Sequence, residues 1–272
     1  MADQAMLKKF MMNGTLYDTK DFDNLYKAVQ PSCYEVIRVI DGRPLFLDEH
    51  FERFTGTVKS IDKPLPLTLD ELESAIRTLA KENEIRNYNV KLIYNDFEHG
   101  GKVFLFFTPT SYPTEEMYRD GVKTDFLRIM RDNPHAKIIN QNLRDTADRL
   151  MKEEGLFEAV LVDDNGKITE GSKSNIFFIQ GDHLVTCPAE GVLLGVTRQR
   201  ILRLTREAGI ETIEEQIDAE RASEYDAAFI SGTSPKVLPI AVMGDVKFDV
   251  NNALLRRVMK IYDDEIKRYL AS

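Results

Sequence analysis

Apolar and polar positions in the first half of the chain change between the two-residue period of a strand and the spacing of a helix. Residues 34–47 alternate between two faces, and Asp41-Gly42 supplies a tight-turn signal in their middle. This pattern predicts a hairpin. A helix with regularly spaced apolar residues should follow, and its spacing leaves Arg53 beside the apolar stripe, able to reach a site.

The capping-box pattern Thr68-Leu69-Asp70-Glu71 predicts the start of a second amphipathic helix. Strands are predicted at residues 89–95 and 102–108. Residues 109–114 place two prolines among polar residues, which is typical of an interdomain linker.

We therefore expect a smaller N-terminal α/β domain at residues 1–112 and a larger C-terminal domain at residues 113–272. Short strands separated by turn signals predominate in the C-terminal domain. The predicted elements are strands at 123–130, 157–162, 167–170, 175–179, 183–186, 211–217 and 227–230, with helices at 143–154, from Thr197 to before Gly209, and at 254–270.

Composition narrows the classes of function. The 272 residues carry a net charge of −9, which disfavours broad attraction to nucleic acids or anionic membranes. No stretch approaches the roughly 20 apolar residues of a membrane-spanning helix, and the first residues do not resemble a secretory signal. Two cysteines and four scattered histidines give neither a disulfide framework nor a zinc pattern, so no metal site is predicted. We expect a cytoplasmic protein with no nucleic-acid or membrane partner.

Two segments in the second half carry the strongest chemical signal. Residues 168–175 place Glu170 where a strand ends, and residues 194–198 begin a helix with backbone amides and the hydroxyl of Thr197. An acid combined with a helix start suits a charged aromatic ring that carries a phosphate. Each segment alone has a simpler interpretation, with Glu170 as a surface charge and Thr197 as a helix cap.

The sequence resembles the fold-type IV, or class IV, pyridoxal-phosphate enzymes over nearly its whole length. This family includes branched-chain and D-amino-acid aminotransferases and aminodeoxychorismate lyase. The motifs that carry the resemblance are Tyr34-Glu35-Val36, His50, Arg53, Lys137, Glu170 with Asn175, Gly195-Val196-Thr197-Arg198, Gly232-Thr233 and Pro239. The resemblance implies a two-domain fold of mixed α/β (α+β) class, with a barrel-like strand core in the larger domain and pyridoxal 5′-phosphate in a cleft.

The resemblance also implies roles for individual residues. Lys137 would form a Schiff base with the cofactor and carry the proton, and Glu170 would hold the pyridine nitrogen protonated. Tyr34 would lie beside the substrate, and Arg38, on the same strand face, could hold a carboxylate. The other expected cofactor contacts are Arg53, Asn175, Leu193, Val196, Thr197, Thr233 and Ser234. Without the resemblance, each has an ordinary structural explanation, such as a solvated lysine, a packing tyrosine or an exposed ion pair.

Two elements found in parts of the family are missing. Branched-chain members have an Asn-Tyr pair a few residues after the lysine, where this chain has Asn140-Gln141-Asn142. D-amino-acid members grip the substrate carboxylate with an Arg-x-His element, where this chain has Tyr94-Asn95-Asp96-Phe97; His99 could substitute for it. The handedness of the substrate therefore stays open.

The predicted reaction is the transfer of an amino group between an amino acid and a 2-oxo acid. A lyase that eliminates pyruvate from aminodeoxychorismate is the first alternative, because Lys137 and Asn140 have a spacing shared by lyase and D-amino-acid members. A non-catalytic protein that retains the fold is the second. The resemblance also implies a homodimer, because family sites borrow a loop from the partner subunit.

Overall fold

The computed structural model describes residues 4–131 and 133–271, which form two compact units. The first unit contains residues 4–111, 136–139 and 269–271, and the second contains residues 112–131, 133–135 and 140–268. Each unit combines one sheet with helices, which gives the mixed α/β class that was predicted. Within the described residues, no helix is long and apolar enough to cross a membrane.

An antiparallel sheet forms the centre of the first unit. The elements of this unit are β1 (Met6–Met12), β2 (Thr15–Asp18), α1 (Phe22–Leu25), β3 (Cys33–Ile40), β4 (Arg43–Pro44), α2 (Leu47–Ser60), α3 (Leu69–Glu82), β5 (Tyr88–Asn95) and β6 (Lys102–Phe107). The strand order of the sheet is β2-β1-β6-β5-β3-β4. The hairpin of β1 and β2 was not predicted from the sequence.

The alternation predicted for β3 is confirmed. Ile37 and Val39 are fully buried in the core formed with α2 and α3, whereas Tyr34 and Arg38 are half-buried on the other face. The turn at Asp41-Gly42 has positive φ at both residues, +50° and +77°, as a tight two-residue hairpin requires.

The predicted capping box at the start of α3 is also confirmed. Thr68 Oγ1 accepts a hydrogen bond from Glu71 N at 3.3 Å, and Glu71 Oε2 accepts one from Thr68 N at 2.7 Å. After β6, residues 109–114 contain neither helix nor strand.

A mixed sheet forms the centre of the second unit. The elements of this unit are α4 (Glu115–Asp120), β7 (Val122–Arg128), α5 (Gln141–Glu154), β8 (Glu158–Val162), β9 (Lys167–Gly171), β10 (Asn175–Gln180), β11 (His183–Thr186), α6 (Val196–Glu207), β12 (Thr212–Glu214), β13 (Ile217–Asp218), β14 (Ala227–Gly232), β15 (Lys236–Met243), β16 (Val246–Lys247) and α7 (Ala253–Ala271), of which residues 269–271 belong to the first unit.

The strand order of this sheet is β12-β11-β10-β14-β15-β7-β8-β9-β13, with β16 beside β15. Its two end strands, β12 and β13, are separated in the chain by Glu215 and Gln216 alone. A two-residue connection can join the ends of a sheet only if the sheet curls, so the barrel-like core is as predicted. The prediction of one strand over residues 211–217 was wrong, because its two halves pair with different partners, β11 and β9.

Candidate active site

Glu170 lies near the end of β9 and is only 2% exposed, so its interpretation as a surface charge was wrong. Arg131 Nε donates a hydrogen bond to Glu170 Oε1 at 2.7 Å. The Leu193 N–H donates to Oε2 at 3.1 Å, and Asn175 Nδ2 donates to the same oxygen at 3.4 Å. These donors fix the position of a buried carboxylate, which is an acceptor suited to a charged N–H group.

Asn175 connects Glu170 to the segment before α6. Its Nδ2 also donates to the Leu193 carbonyl at 2.8 Å, and its backbone pairs with Ser231 of β14. A Cβ atom at Gly195 would lie 2.1 Å from Asn175 Oδ1, so a glycine is needed there. Asn175 therefore brings together the end of β9, the start of α6 and the end of β14.

Val196 and Thr197 form the first turn of α6, and its N-cap residue is Gly195. Thr197 is therefore not the cap. Its side chain is buried, and its hydroxyl accepts a hydrogen bond from the Tyr262 hydroxyl at 3.4 Å. Because glycine has no side chain to cap the helix, the first amides and the positive end of the helix dipole suit an anion.

Thr233 and Ser234 lie in the turn between β14 and β15, and both are half-buried. Ser231, two residues before Thr233, is 1% exposed, and among the described residues its Oγ has no hydrogen-bond partner. A buried hydroxyl without a partner is costly, which points to a polar group bound at this end of β14.

Lys137 is held by backbone contacts within the first unit. Its N–H donates to Thr57 Oγ1 of α2 at 3.1 Å, and its carbonyl accepts from the Tyr34 N–H at 3.0 Å. Its Nζ lies 4.6 Å from the centroid of the Tyr34 ring, and Lys91 Nζ lies 5.2 Å from the same centroid. Two amines therefore approach one tyrosine ring at the distances of cation–π contacts.

Arg53 is oriented by an acid from β3. Its Nε and Nη2 donate to the two carboxylate oxygens of Glu35 at 2.8 and 2.7 Å, and His50 Nδ1 lies 2.8 Å from Glu35 Oε2. The Glu35 side chain is 1% exposed and that of Arg53 is 12% exposed, so the alternative of an exposed ion pair was wrong. Such a bidentate pair fixes the plane of the guanidinium group.

The titration behaviour of Glu35 and His50 follows from this pairing. Burial raises the pKa of Glu35, but the Arg53 guanidinium and the His50 ring outweigh burial and lower that pKa to about 2. Burial, together with the charges of Arg53 and Lys137, lowers the pKa of His50 more than the Glu35 carboxylate raises it. At neutral pH the cluster is therefore an ionised Glu35 between a neutral His50 and a charged Arg53.

Two further candidates on the substrate side differ in their surroundings. Arg38 is half-buried on the same face of β3 as Tyr34. The side chain of His99 is 75% exposed, and its Nδ1 lies 2.6 Å from Asp96 Oδ1. His99 is thus an exposed partner of an acid, and nothing in its surroundings indicates a carboxylate-binding role.

The chemistry of these groups fits pyridoxal 5′-phosphate. Glu170 is a buried carboxylate, which suits a protonated ring nitrogen, and the start of α6 and Ser231 carry N–H and O–H groups, which suit a phosphate. Lys137 carries an amine, which is the group that reacts with an aldehyde.

Comparison with known proteins agrees with this fit. Residues 32–243 match the model of the amino-transferase class IV family. A D-alanine aminotransferase of Staphylococcus epidermidis is 29% identical over 258 residues, which cover 86% of this chain and 88% of the relative. A branched-chain-amino-acid aminotransferase of Pseudomonas aeruginosa is 28% identical over 230 residues, covering 76% and 74%. The solved structure of the branched-chain amino acid aminotransferase of Thermobaculum terrenum in its PLP form has a TM-score of 0.79 and 22% identity, covering 98% and 97%.

The chain therefore belongs to the class IV aminotransferase family. The predictions of the fold, the enzyme class and the cofactor are confirmed. The lyase and the non-catalytic protein are not favoured, because the family and both relatives are aminotransferases. The relatives named for D-alanine and for branched-chain amino acids are 29% and 28% identical to this chain, so percentage identity does not separate these substrates.

The sequence did not predict a role for three residues that contact the candidate site residues. Glu35 had a usable signal, because it is an acid on the buried face of an otherwise apolar alternation. Lys91 had a similar one, because it interrupts a buried strand. Arg131 lies in an irregular polar segment, where neither periodicity nor a turn motif indicates that it contacts Glu170.

Proposed function

We propose that Lys137 is the residue that binds the cofactor and moves the proton during amino transfer between an amino acid and a 2-oxo acid. The observation that carries this proposal is the position of its amine, 4.6 Å from the Tyr34 ring centroid on a segment fastened to α2 and β3. A lysine whose backbone is fixed in this way presents its amine in a restricted region, as a base that acts on one carbon atom requires.

When bound, pyridoxal 5′-phosphate supplies an aldehyde and an electron-withdrawing ring. Lys137 Nζ would hold the cofactor through its aldehyde carbon and would take the proton from the substrate α-carbon. Glu170 would accept the hydrogen bond of the ring N–H and keep that nitrogen protonated. The contacts of Arg131, Asn175 and Leu193 hold the carboxylate for this task.

The phosphate would be bound by donors of three kinds. The amides of Val196 and Thr197 at the start of α6 and the Thr197 hydroxyl form the first set. Thr233 and Ser234 in the turn after β14 form the second. Arg53 forms the third, and its orientation is supported by two hydrogen bonds to Glu35. Asn175 and Leu193 would support the ring side of the same site.

On the substrate side, Tyr34 and Arg38 share one face of β3, and we assign Arg38 to binding a substrate carboxylate.

We also propose that the protein is a cytoplasmic homodimer, and the family resemblance supports this. Sedimentation equilibrium tests the dimer, with an expected mass of twice the chain mass of 31.2 kDa. A monomer mass at the concentrations used in assays would contradict that part alone.

Lys91 provides a matched control for Lys137, because the two amines approach the same ring. The Lys137→Met and Lys91→Met variants are each mixed with pyridoxal 5′-phosphate, and the visible band at about 410 nm is recorded. We expect Lys137→Met to lose the band and Lys91→Met to keep it.

Borohydride reduction of the wild type followed by peptide mass analysis should place the cofactor on residue 137. Label on residue 91, or no label, would overturn the proposal.

The transferase activity is tested with the same preparation. D- and L-amino acids are added singly, and bleaching of the visible band is followed with and without a 2-oxo acid. Amino transfer requires that the 2-oxo acid restore the band, since the amino group must leave the cofactor. Repeated turnover of added aminodeoxychorismate to pyruvate, with no 2-oxo acid present, would instead indicate the lyase.

A further inference from the structure

Glu158 lies at the start of β8, is 4% exposed, and accepts hydrogen bonds from donors of the turn between β9 and β10. Its Oε1 accepts from Ser172 Oγ at 2.5 Å and from Ala159 N at 3.0 Å. Its Oε2 accepts from Ser174 Oγ at 2.9 Å and from Lys173 N at 3.2 Å. Two hydroxyls and two backbone amides thus surround one buried carboxylate, as a buried charge requires.

The turn that Glu158 holds is short and tightly packed. Gly171 N donates to Ser174 O at 2.8 Å, and Ser172 N donates to Ala159 O at 2.9 Å. A Cβ atom at Gly171 would lie 2.1 Å from Ser174 Oγ and 3.1 Å from the Glu158 carboxyl carbon. The turn therefore has no room for a side chain at its first residue and little room to shift.

Glu170 and Asn175 lie immediately on either side of this turn. We propose that Glu158 is a positioning residue, whose carboxylate sets residues 171–174 and thereby fixes the Glu170 carboxylate and the Asn175 amide for the cofactor. This inference rests on the proposed function. It assigns Glu158 no contact with the cofactor or the substrate.

The geometry requires a carboxylate and not merely a polar side chain. A backbone N–H faces each of the two oxygens, Ala159 N on one side and Lys173 N on the other. A glutamine at position 158 would turn its NH₂ group toward one of these N–H donors in either orientation. We therefore expect Glu158→Gln to lose at least one backbone contact although its size is unchanged.

The test uses the full chain and the variants Glu158→Gln and Ser174→Ala. Glu153→Gln is the control, because Glu153 is an exposed acid on α5. Hydrogen exchange of the protein without cofactor is measured first, and we expect faster exchange at residues 171–174 in both variants. Titration with pyridoxal 5′-phosphate follows, and we expect a loss of affinity of about tenfold for Glu158→Gln, which is the effect of one broken buried hydrogen bond.

A positioning role is distinguished from a purely structural one by the pH at which the visible band of the bound cofactor is half-changed, called here the pH midpoint. A displaced Glu170 would alter the protonation of the ring nitrogen, so the midpoint should move in Glu158→Gln and stay unchanged in Glu153→Gln. If Glu158→Gln does not fold, Ser174→Ala carries the same test, because it removes a single hydroxyl donor.

Faster exchange with wild-type affinity and an unchanged pH midpoint would show a purely structural role and overturn the inference. A wild type without any Lys137-dependent band would instead overturn the proposed function. The two failures are thus distinguishable in one set of measurements.

Discussion

Arg131 Nε lies 2.7 Å from Glu170 Oε1, and the two side chains are only 11% and 3% exposed. The pair places the positive charge of Arg131 against the buried carboxylate of Glu170. Breaking one side of such a buried pair is expensive, because the other charge stays buried without its partner.

We expect Arg131→Met to destabilise the second unit by about 3 to 5 kcal/mol and to weaken the binding of pyridoxal 5′-phosphate. The loss of stability is measured by chemical unfolding. The unfolding is followed by far-ultraviolet circular dichroism, because the chain contains no tryptophan for fluorescence. The double variant Arg131→Met/Glu170→Gln should recover stability without recovering cofactor binding. Equal stability of Arg131→Met and the wild type would contradict the importance of this pair.

Gly195→Ala tests the packing between Gly195 and Asn175. The added Cβ would lie 2.1 Å from Asn175 Oδ1, and the Asn175 side chain is held by Leu193 and Glu170. Overpacking of this kind costs about 1 to 3 kcal/mol of folding stability, so we expect the free energy of unfolding to fall by that amount and cofactor affinity to fall with the displacement of Asn175. Gly191→Ala is the control, because a Cβ there meets no atom within 4 Å. Similar losses in both variants would argue against a specific clash.

Tyr34→Leu tests the contact between the Tyr34 ring and the Lys137 amine. A cation–π contact of about 0.5 to 2 kcal/mol stabilises the charged amine, whereas attachment of the cofactor needs the neutral amine. Loss of the ring should therefore speed attachment by about 2- to 30-fold, and Tyr34→Phe should stay near the wild type. Stopped-flow measurement of the growth of the visible band gives both rates. If Tyr34→Phe is as fast as Tyr34→Leu, the hydroxyl and not the ring face is what matters.

Local patterns predicted much of the fold because their physical causes are local. The Asp41-Gly42 turn and the Thr68–Glu71 capping box depend on a few adjacent residues, and both were recognised. The strand over residues 211–217 was predicted wrongly because its division depends on two separate partner strands. The hairpin of β1 and β2 was missed, and its outer strand β2 has no buried residue to create a pattern.

The residues of the candidate site were predicted from motifs that each span only a few neighbouring residues, and their roles toward a cofactor stay predictions. Burial of Glu170 and Thr197 agrees with their motif positions. The partner of Glu170 was not predictable, because Arg131 is 39 residues away and reaches it only through the pairing of β7, β8 and β9. Glu158 reaches residues 172–174 in the same way, through contacts that no short window contains.

The lowered pKa of Glu35 makes the stability of the folded chain depend on pH. Its pKa in the folded chain is about 2, against an ordinary value of 4.5, so its stabilising contribution is complete above about pH 4.5 and is lost as the pH falls toward 2. From these two values, the loss between pH 6 and pH 3 is about 2 kcal/mol. The lowered pKa of His50 also makes the folded chain less stable as the pH falls below the ordinary His pKa of 6.5.

We expect Glu35→Gln to flatten the decrease in unfolding free energy between pH 6 and pH 3, while Glu82→Gln, an exposed control on α3, keeps the wild-type slope. Parallel slopes for the wild type and Glu35→Gln would show that the pairing of Glu35 with Arg53 does not hold its pKa low.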